Sequence, residues 1–178
     1  MEKLFVQKLG KVKKHKKDIE KALKVNIKFA ADGAEIESKD ENAYNEYIAR
    51  HVIEALEMGF SFESAIKLKN EDYMIETISL KKHVRSSRLR MVVSRLIGEK
   101  GRTKEIIKEM TGCDVAIYDY NISIIGETED VEFAAHAVRS LIRGAPHASV
   151  YAYLERNRKF MKYKSDEDLG LKKEFKRR

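Results

Sequence analysis

The sequence has little of what marks secreted, membrane-spanning or disordered proteins. Its 178 residues include one cysteine, one proline and no tryptophan. A lone cysteine cannot form an intramolecular disulfide, and the N-terminal MEKLFVQKLG enters a lysine run without the apolar core of a signal peptide. No apolar run approaches the roughly 18 residues of a membrane-spanning helix, and one proline argues against long disordered linkers. We therefore expect a folded, soluble protein of the cytoplasm.

The net charge of +7 is distributed in blocks. Residues 1–24, 81–112 and 151–178 carry local net charges of +6, +7 and +5, whereas 25–80 and 113–150 carry −7 and −4. Such blocks concentrate positive potential on particular faces, where phosphates are attracted. Solvated helix faces produce the same pattern without a ligand, so charge alone leaves both interpretations open.

An internal repeat organises the chain. Gly10 aligns with Gly98 at an offset of 88 residues, and apolar positions stay aligned without a gap as far as Ile36 and Ile124. Beyond that point the offset becomes 87, which a one-residue difference in loop length explains. The repeat predicts two copies of one supersecondary unit. Because few aligned residues are identical, chance similarity between two amphipathic units is the alternative.

The second copy has the clearer pattern. Alternating apolar residues predict strands, helical spacing predicts helices, and Ser86 or Ser87 and Thr128 are candidate helix caps. Gly112 follows a helix at the position where a left-handed residue commonly ends it. The predicted elements are a strand Tyr73–Leu80, helices Arg88–Leu96 and Arg102–Thr111 separated by Gly98–Gly101, strands Asp114–Tyr118 and Ile122–Ile125, and a helix from Thr128 to Gly144.

The first copy matches from Gly10 onward. Only nine residues precede this glycine, too few for both an opening strand and a full first helix, so we expect a truncated unit. Its predicted elements are a helix near Lys11–Lys24, strands around Asn26–Phe29 and Ala34–Ile36, and a helix from about Glu41 to Glu57. A helical connector capped by Ser61, a last helix from Ser149 to about Tyr163 and a basic tail complete the chain.

The loop Gly98-Glu99-Lys100-Gly101 is the main candidate site. Without a Cβ at either glycine, a sugar-phosphate chain can lie directly on the loop, and the helix that follows presents free amide groups to phosphates. Flanking cations add charge-assisted contacts, and nearby apolar residues form a groove for bases. The candidate residues are Ile97, Gly98, Glu99, Lys100, Gly101, Arg102, Lys104, Arg88, Arg95, Val115 and Ile117. A tight inter-helix turn is the alternative interpretation of the glycines.

This order of elements, with I-G-E-K-G-R-T-K at Ile97–Lys104, resembles the type I K homology (KH) domain, a fold that binds single-stranded nucleic acid. Three segments also resemble the tandem-KH ribosome assembly factors of the partner-of-Nob family, closest to its archaeal members. These segments are GFSFESAIKLKNEDY (Gly59–Tyr73), YDYNISIIGETED (Tyr118–Asp130) and LIRGAPHASVYAYLERNRK (Leu141–Lys159). The resemblance implies an α+β protein with a degenerate KH unit at 1–57, a connector at 58–72, a KH domain at 73–146 and a helix with a basic tail at 147–178.

The resemblance also implies a function. A member of this family binds near the 3′ end of small-subunit ribosomal RNA and assists its maturation beside a PIN-domain endonuclease. Archaeal members are associated with the α subunit of the initiation factor that carries initiator tRNA. A general KH protein without a role in ribosome assembly and a protein-interaction scaffold are the alternatives.

The first unit departs from the family pattern. At the place of the intact loop it has Gly10-Lys11-Val12-Lys13, where a lysine replaces the second glycine. We therefore expect a scaffold or protein-docking surface there, whose lysines touch phosphates at most nonspecifically.

Catalytic and metal-binding functions are not favoured. The five histidines lack the spacing of paired metal ligands, and Cys113 has no local partner. Cys113 aligns with Val25 in the repeat and is predicted to be a small core residue. Helix capping explains Glu127, Glu129 and Asp130 better than a carboxylate metal site does. We expect no enzyme activity and no cofactor.

Overall fold

A computed structural model describes the backbone of residues 2–5, 9–30, 33–40 and 42–168, and the side chains of 10–30, 33–40 and 42–158. The fold is α+β, as predicted, and its two halves each contain a three-stranded antiparallel sheet packed with helices. Within the described ranges, no helix is both long and apolar enough to cross a membrane.

The first half has the element order β-α-α-β-β-α. Its sheet has the order β1-β3-β2, so the last strand lies in the middle. The elements are β1 (Glu2–Phe5), α1 (Leu9–Lys14), α2 (Lys16–Leu23), β2 (Val25–Ala30), β3 (Gly33–Ser38) and α3 (Ala43–Glu57). A short helix, α4 (Phe62–Ala65), and a 3₁₀ turn (Ile66–Lys69) connect this half to the next.

The second half has the same order and the same topology, with its sheet arranged β4-β6-β5. Its elements are β4 (Tyr73–Ser79), α5 (Leu89–Ile97), α6 (Arg102–Thr111), β5 (Asp114–Tyr118), β6 (Asn121–Glu127) and α7 (Thr128–Arg143). The last helix, α8 (His147–Asp168), begins two residues earlier than predicted and extends past Tyr163. The predicted basic tail after it lies outside the described residues.

Strand register confirms the internal repeat. Ile27 pairs with Ile36 in the first sheet, and Val115 pairs with Ile124 in the second. The second pair lies 88 residues after the first, which is the offset found in the sequence. All four side chains are buried. The same cross-strand pair therefore lies in both cores.

The start of the first unit differs from the prediction. An opening strand is present, and the short element is α1, with six residues against nine in α5. Gly10 and Lys13 lie inside α1, and the break between helices falls at His15 instead. The predicted structural equivalence between Gly10–Lys13 and the glycine loop is therefore wrong, because Gly10–Lys13 is helical.

Two predicted helix caps are also wrong. Arg88 precedes α5 without a side-chain cap, because a 3₁₀ turn at Ser86–Arg88 leads into the helix. The Thr128 hydroxyl donates to the carbonyl of Asp72 at 3.0 Å and so joins α7 to the connector. In contrast, the Ser61 hydroxyl accepts from the amide of Ser64, as predicted. At Thr128 the prediction failed because a tertiary partner competes with local capping.

The two halves are joined through the connector and the second sheet. Ala116 and Ile125 of that sheet are buried in the core of the first half, together with Phe60 and Leu68 of the connector. Asp114 lies beside this contact and is 7% exposed. Its carboxylate accepts from the ammonium groups of Lys108 at 2.8 Å and Lys67 at 3.2 Å, so one buried acid links α6, β5 and the connector.

We expect Asp114 to make the stability of the protein depend on pH. Burial acts to raise the pKa of Asp114, but hydrogen bonds from Lys108, Ser64 and Lys67 outweigh it and hold this pKa below its ordinary value. A depressed carboxyl pKa stabilises the fold above the unfolded-state value of about 4, and this contribution is lost as pH falls through the folded-state value. Asp114→Asn should lower the free energy of unfolding by about 1–2 kcal/mol at pH 7.

Urea unfolding at pH 7 and below pH ~4 checks this, since the difference from wild type should shrink in acid. The matched control is Asp119→Asn, whose ion pair with Lys81 is exposed. The control should change stability by less than about 0.5 kcal/mol. A pH-independent effect of Asp114→Asn would contradict the assignment.

Candidate nucleic-acid interface

The loop between α5 and α6 has an unusual backbone. Gly98, Lys100 and Gly101 have φ values of 74°, 51° and 83°, so three of its four residues lie in the left-handed half of φ/ψ space. Gly98 combines its positive φ with ψ 176°, a conformation that is essentially restricted to glycine. Lys100 adopts left-handed helical angles without being glycine, which costs roughly 1–2 kcal/mol. The chain therefore folds into a tight turn that presents Lys100 at its tip.

The two glycines have different reasons to be glycine. A Cβ at Gly98 would overlap the hydroxyl of Thr103 and lie 2.9 Å from its backbone nitrogen, so Gly98 is needed for the loop to pack on α6. A Cβ at Gly101 would have no atom within 4 Å. Open surface at Gly101 is what close approach by a sugar-phosphate backbone requires, whereas the turn interpretation accounts for Gly98.

Thr103 connects the loop to the last helix. It is 2% exposed, and its hydroxyl accepts a hydrogen bond at 3.1 Å from the hydroxyl of Tyr151 in α8. The last helix therefore holds the first turn of α6 in place, behind the loop. The sequence pattern did not identify Thr103 as part of this site, because its partner lies 48 residues away.

Three cations surround the loop tip. Lys100, Arg102 and Lys104 are exposed, and none of them forms an ion pair with another described residue. The N-terminus of α6 has no side-chain cap; the backbone N–H of Gly101 donates to the Gly98 carbonyl at 3.3 Å, and that of Arg102 donates to the Glu99 carbonyl. Unpaired cations and the positive end of the helix dipole form a local positive site at this helix start, which suits phosphate oxygens.

Arg95 does not belong to this surface, contrary to expectation. Its guanidinium donates to the carbonyl of Ala145, and the Nε2 atom of His147 lies 3.1 Å from the Arg95 carbonyl oxygen. Both contacts attach α5 to the turn between α7 and α8. Arg95 and His147 therefore have structural partners in this fold.

The predicted apolar groove is smaller than expected. Val115 is 4% exposed and packs in the core of the second half, so it cannot contact a base at the surface. Val115 lies on the face of its strand that the helices cover. The alternating sequence pattern could not show how much of that face is covered. Ile97 is 40% exposed beside the loop, and Ile117 is half-buried at the margin of the core.

Arg88 lies on a different flank of α5 from Ile97. Nine residues separate them, which at 100° per residue places them on opposite sides of the helix. Arg88 lines a cavity near the C-terminal end of α7 together with Arg143. The predicted contribution of Arg88 to the loop surface is therefore not supported by its position.

The first unit offers no comparable loop. Lys11, Lys13 and Lys14 are exposed on α1, but Val12 is fully buried in the core. His15, at the break, stacks on Phe62 of the connector with ring centroids 5.3 Å apart. The break between helices is therefore covered by the protein's own side chains.

The remaining candidates have structural surroundings. Cys113 is buried, burial raises its pKa to about 12, and a Cβ at Gly126 would lie 3.2 Å from the Cys113 Cβ. It is the core residue that the repeat predicted. Tyr153 contacts His136, which docks α8 on α7. Across the part of the chain that the structure describes, no group of three or more His, Cys, Asp or Glu side chains could hold a metal ion.

The loop geometry predicts unequal costs for alanine at the two glycines. Gly98→Ala should lower the free energy of unfolding by about 3 kcal/mol or more, because it adds overlap with Thr103 to an unfavourable backbone conformation. Gly101→Ala should cost only about 1 kcal/mol, the penalty of a left-handed residue in open space. Urea unfolding of both variants measures the difference. Equal losses would contradict the packing role given to Gly98.

Comparisons with known proteins agree with this architecture. Residues 74–159 match the family model of the second KH domain of PNO1, a eukaryotic type KH-domain (KH-domain type I). The chain is 35% identical over 158 residues to KH domain-containing protein MJ0443 of Methanocaldococcus jannaschii, covering 86% of this chain and 70% of that protein. It is 32% identical over 105 residues to the pre-rRNA-processing protein pno1 of Schizosaccharomyces pombe, covering 57% of this chain and 44% of that protein.

A solved structure shows the same fold. The crystal structure of an a/eIF2alpha-aDim2p-rRNA complex from Pyrococcus horikoshii OT3 contains a chain that is 38% identical, with a TM-score of 0.80. The match covers 89% of this chain and 94% of that chain. This chain spans less than half the length of the fungal relative but most of the archaeal ones. With the loop, the repeated topology and these matches together, the chain belongs to the Pno1/Dim2 family of KH-domain proteins.

Proposed function

We propose that the protein binds single-stranded ribosomal RNA near the 3′ end of the small-subunit RNA and assists its maturation without catalysing a reaction itself. The observation that carries this proposal is the open backbone at Gly101 between Lys100 and Arg102. It lets a phosphate approach the backbone at the positive start of α6 and reach two or three cations. KH domains clamp about four nucleotides on such a loop.

The named relatives support the ribosomal assignment. The fungal relative is a pre-rRNA-processing protein, and the Pyrococcus relative was crystallised with rRNA and a/eIF2alpha. For this protein we infer the same kind of RNA target and binding to the α subunit of that initiation factor. A PIN-domain endonuclease that matures the RNA 3′ end is the expected second protein partner, and the cytoplasm is the expected location.

We infer a division of work along the chain. Residues 73–146 bind RNA through the loop, and residues 1–57 dock proteins, because their helix break is covered by Phe62 and their Val12 is buried. The connector at 58–72 joins the two through the buried contact around Phe60. The segment 147–178 contributes Tyr151, which holds the loop helix.

A charge reversal at the loop tip tests the RNA site. Lys100→Asp should weaken binding of a twelve-nucleotide RNA by at least tenfold, since its carboxylate then lies beside that of Glu99 and both face the phosphate path. The fold should survive, because Asp tolerates the left-handed conformation of residue 100 better than most side chains do. Fluorescence anisotropy measures affinity, and circular dichroism confirms folding.

The control places the same charge change on the first unit. Lys14→Asp alters one exposed lysine of α1 and leaves the buried Val12 intact. It should weaken binding less than threefold. In wild type, each of the three loop cations that neutralises a phosphate adds about −0.7 to the slope of log K against log salt, or about −2 in all. Unchanged affinity in the loop variant would reject the site.

Crosslinking in cells tests the RNA target. RNA crosslinked to the wild-type protein should be enriched at the 3′ end of small-subunit rRNA, and the loop variant should lose this enrichment. Enrichment spread over messenger RNA would instead indicate a general KH protein. No crosslinked RNA from either form would indicate a protein-interaction scaffold and would reject the proposal.

A further inference from the structure

We propose a second RNA contact, in the cavity between the start of α5 and the end of α7, which takes one phosphate and its ribose from RNA that extends beyond the loop. This inference rests on the proposed function and deepens it. The cavity lies on the flank of α5 that faces away from Ile97, so it is separate from the glycine loop.

Cationic side chains from both helices meet in this cavity. Its volume is about 420 Å³, and Arg85, Arg88, Arg143 and His83 line it. The other lining residues are Val84, Val92 and Ile142, so no carboxylate faces the space. Three guanidinium groups around one open cavity repel one another unless an anion joins them, which makes an anion the natural occupant.

These arginines are free to bind. The guanidinium groups of Arg85 and Arg88 form no hydrogen bond or ion pair with any described residue, and both residues are exposed. Arg143 makes one hydrogen bond, from Nη2 to the hydroxyl of Ser140 at 3.2 Å, which leaves most of its donors unused. The contrast with Arg95, which is committed to the Ala145 carbonyl, shows that the fold uses some arginines internally and not these.

The surroundings favour a nucleotide over a bare anion. Guanidinium groups bind phosphate in a two-pronged geometry and also stack on bases. Val84, Val92 and Ile142 add an apolar wall that a ribose can contact. The N-terminus of α5 has neither a side-chain cap nor an acidic residue in its first turn, so its dipole adds to the positive potential.

Distance separates the two contacts. Gly98 lies ten positions after Arg88, so the helix places them about 15 Å apart, on different flanks. The roughly four nucleotides that a KH loop clamps do not fill both positions. The cavity should therefore matter for longer RNA and not for a tetranucleotide.

The test compares two RNA lengths. Four- and twelve-nucleotide RNAs of randomised sequence are titrated against wild type and against Arg85→Glu with Arg88→Glu, using anisotropy for the longer RNA and amide chemical shifts for the shorter. Carboxylates at the start of α5 suit the helix dipole, so this variant should remain folded. Arg143→Gln removes one charge from the other helix as an independent variant.

We expect the double variant to bind the twelve-nucleotide RNA about tenfold more weakly, with the salt slope reduced in magnitude by about 0.7 for the one lost phosphate contact. Tetranucleotide affinity should change less than twofold. Arg143→Gln should reduce only the longer RNA's affinity, by about threefold. In wild type, the side-chain Nε signals of Arg85 and Arg88 should shift with the longer RNA only.

The control variant is Lys21→Glu with Lys39→Glu, which changes net charge equally at exposed lysines of the first unit. If the control weakens binding of the longer RNA as much as the cavity variant does, the effect is one of general electrostatics and the inference is wrong. Unchanged binding of the longer RNA by the cavity variant also overturns it. Loss of tetranucleotide binding would assign Arg88 to the loop site instead. Failure of the proposed function is distinct, because it requires the loop variant to keep its affinity.

Discussion

The nucleic-acid surface depends on one close contact, between the backbone of Gly98 and the first turn of α6. Because residue 98 has no Cβ, the loop can lie against Thr103, and that contact sets the positive φ values that follow. Those angles turn Lys100 outward and leave Gly101 open. A side chain at 98 would move the loop away from α6, and the helix start would no longer lie under the loop tip. The absence of a Cβ at Gly98 therefore allows both the packing of the loop on α6 and the access of a phosphate to Gly101.

The last helix makes this arrangement stable. Tyr151 donates to the hydroxyl of Thr103, while Arg95 and His147 join α5 to the α7–α8 turn. Both helices that flank the loop are therefore held from the same side, away from the exposed tip. Preorganised donors lose little conformational freedom when a phosphate binds, which favours affinity without a large interface. This is a physical reason for the C-terminal helix to form part of the RNA-binding unit.

Sequence periodicity predicted the order of elements well, because strands and helices with one buried face leave strong patterns. The bounds of α6 and β5 agreed with prediction. Residues aligned by the 88-residue repeat also form equivalent cross-strand pairs, Ile27 with Ile36 and Val115 with Ile124. Contacts that depend on tertiary partners were harder to predict from the sequence. Thr128 bonds to Asp72, and Arg95 bonds to Ala145, 50 residues away. A sequence shows which side chains are cationic, but not which cations are already engaged.

The two units show how one fold can keep its scaffold and lose its ligand site. The buried cross-strand pair is the same in both, so the sheet does not distinguish them. The difference lies in the helix break, which in the first unit carries no pair of left-handed glycines and is covered by stacking of His15 on Phe62. Folding likewise separates cations of the positive block at 81–112. Some surround the loop, Arg95 bonds internally, Lys81 and Lys108 form ion pairs, and the side chains of Arg85 and Arg88 are unpaired. Net charge therefore has functional meaning here only after each cation has been assigned to a face of α5 or α6.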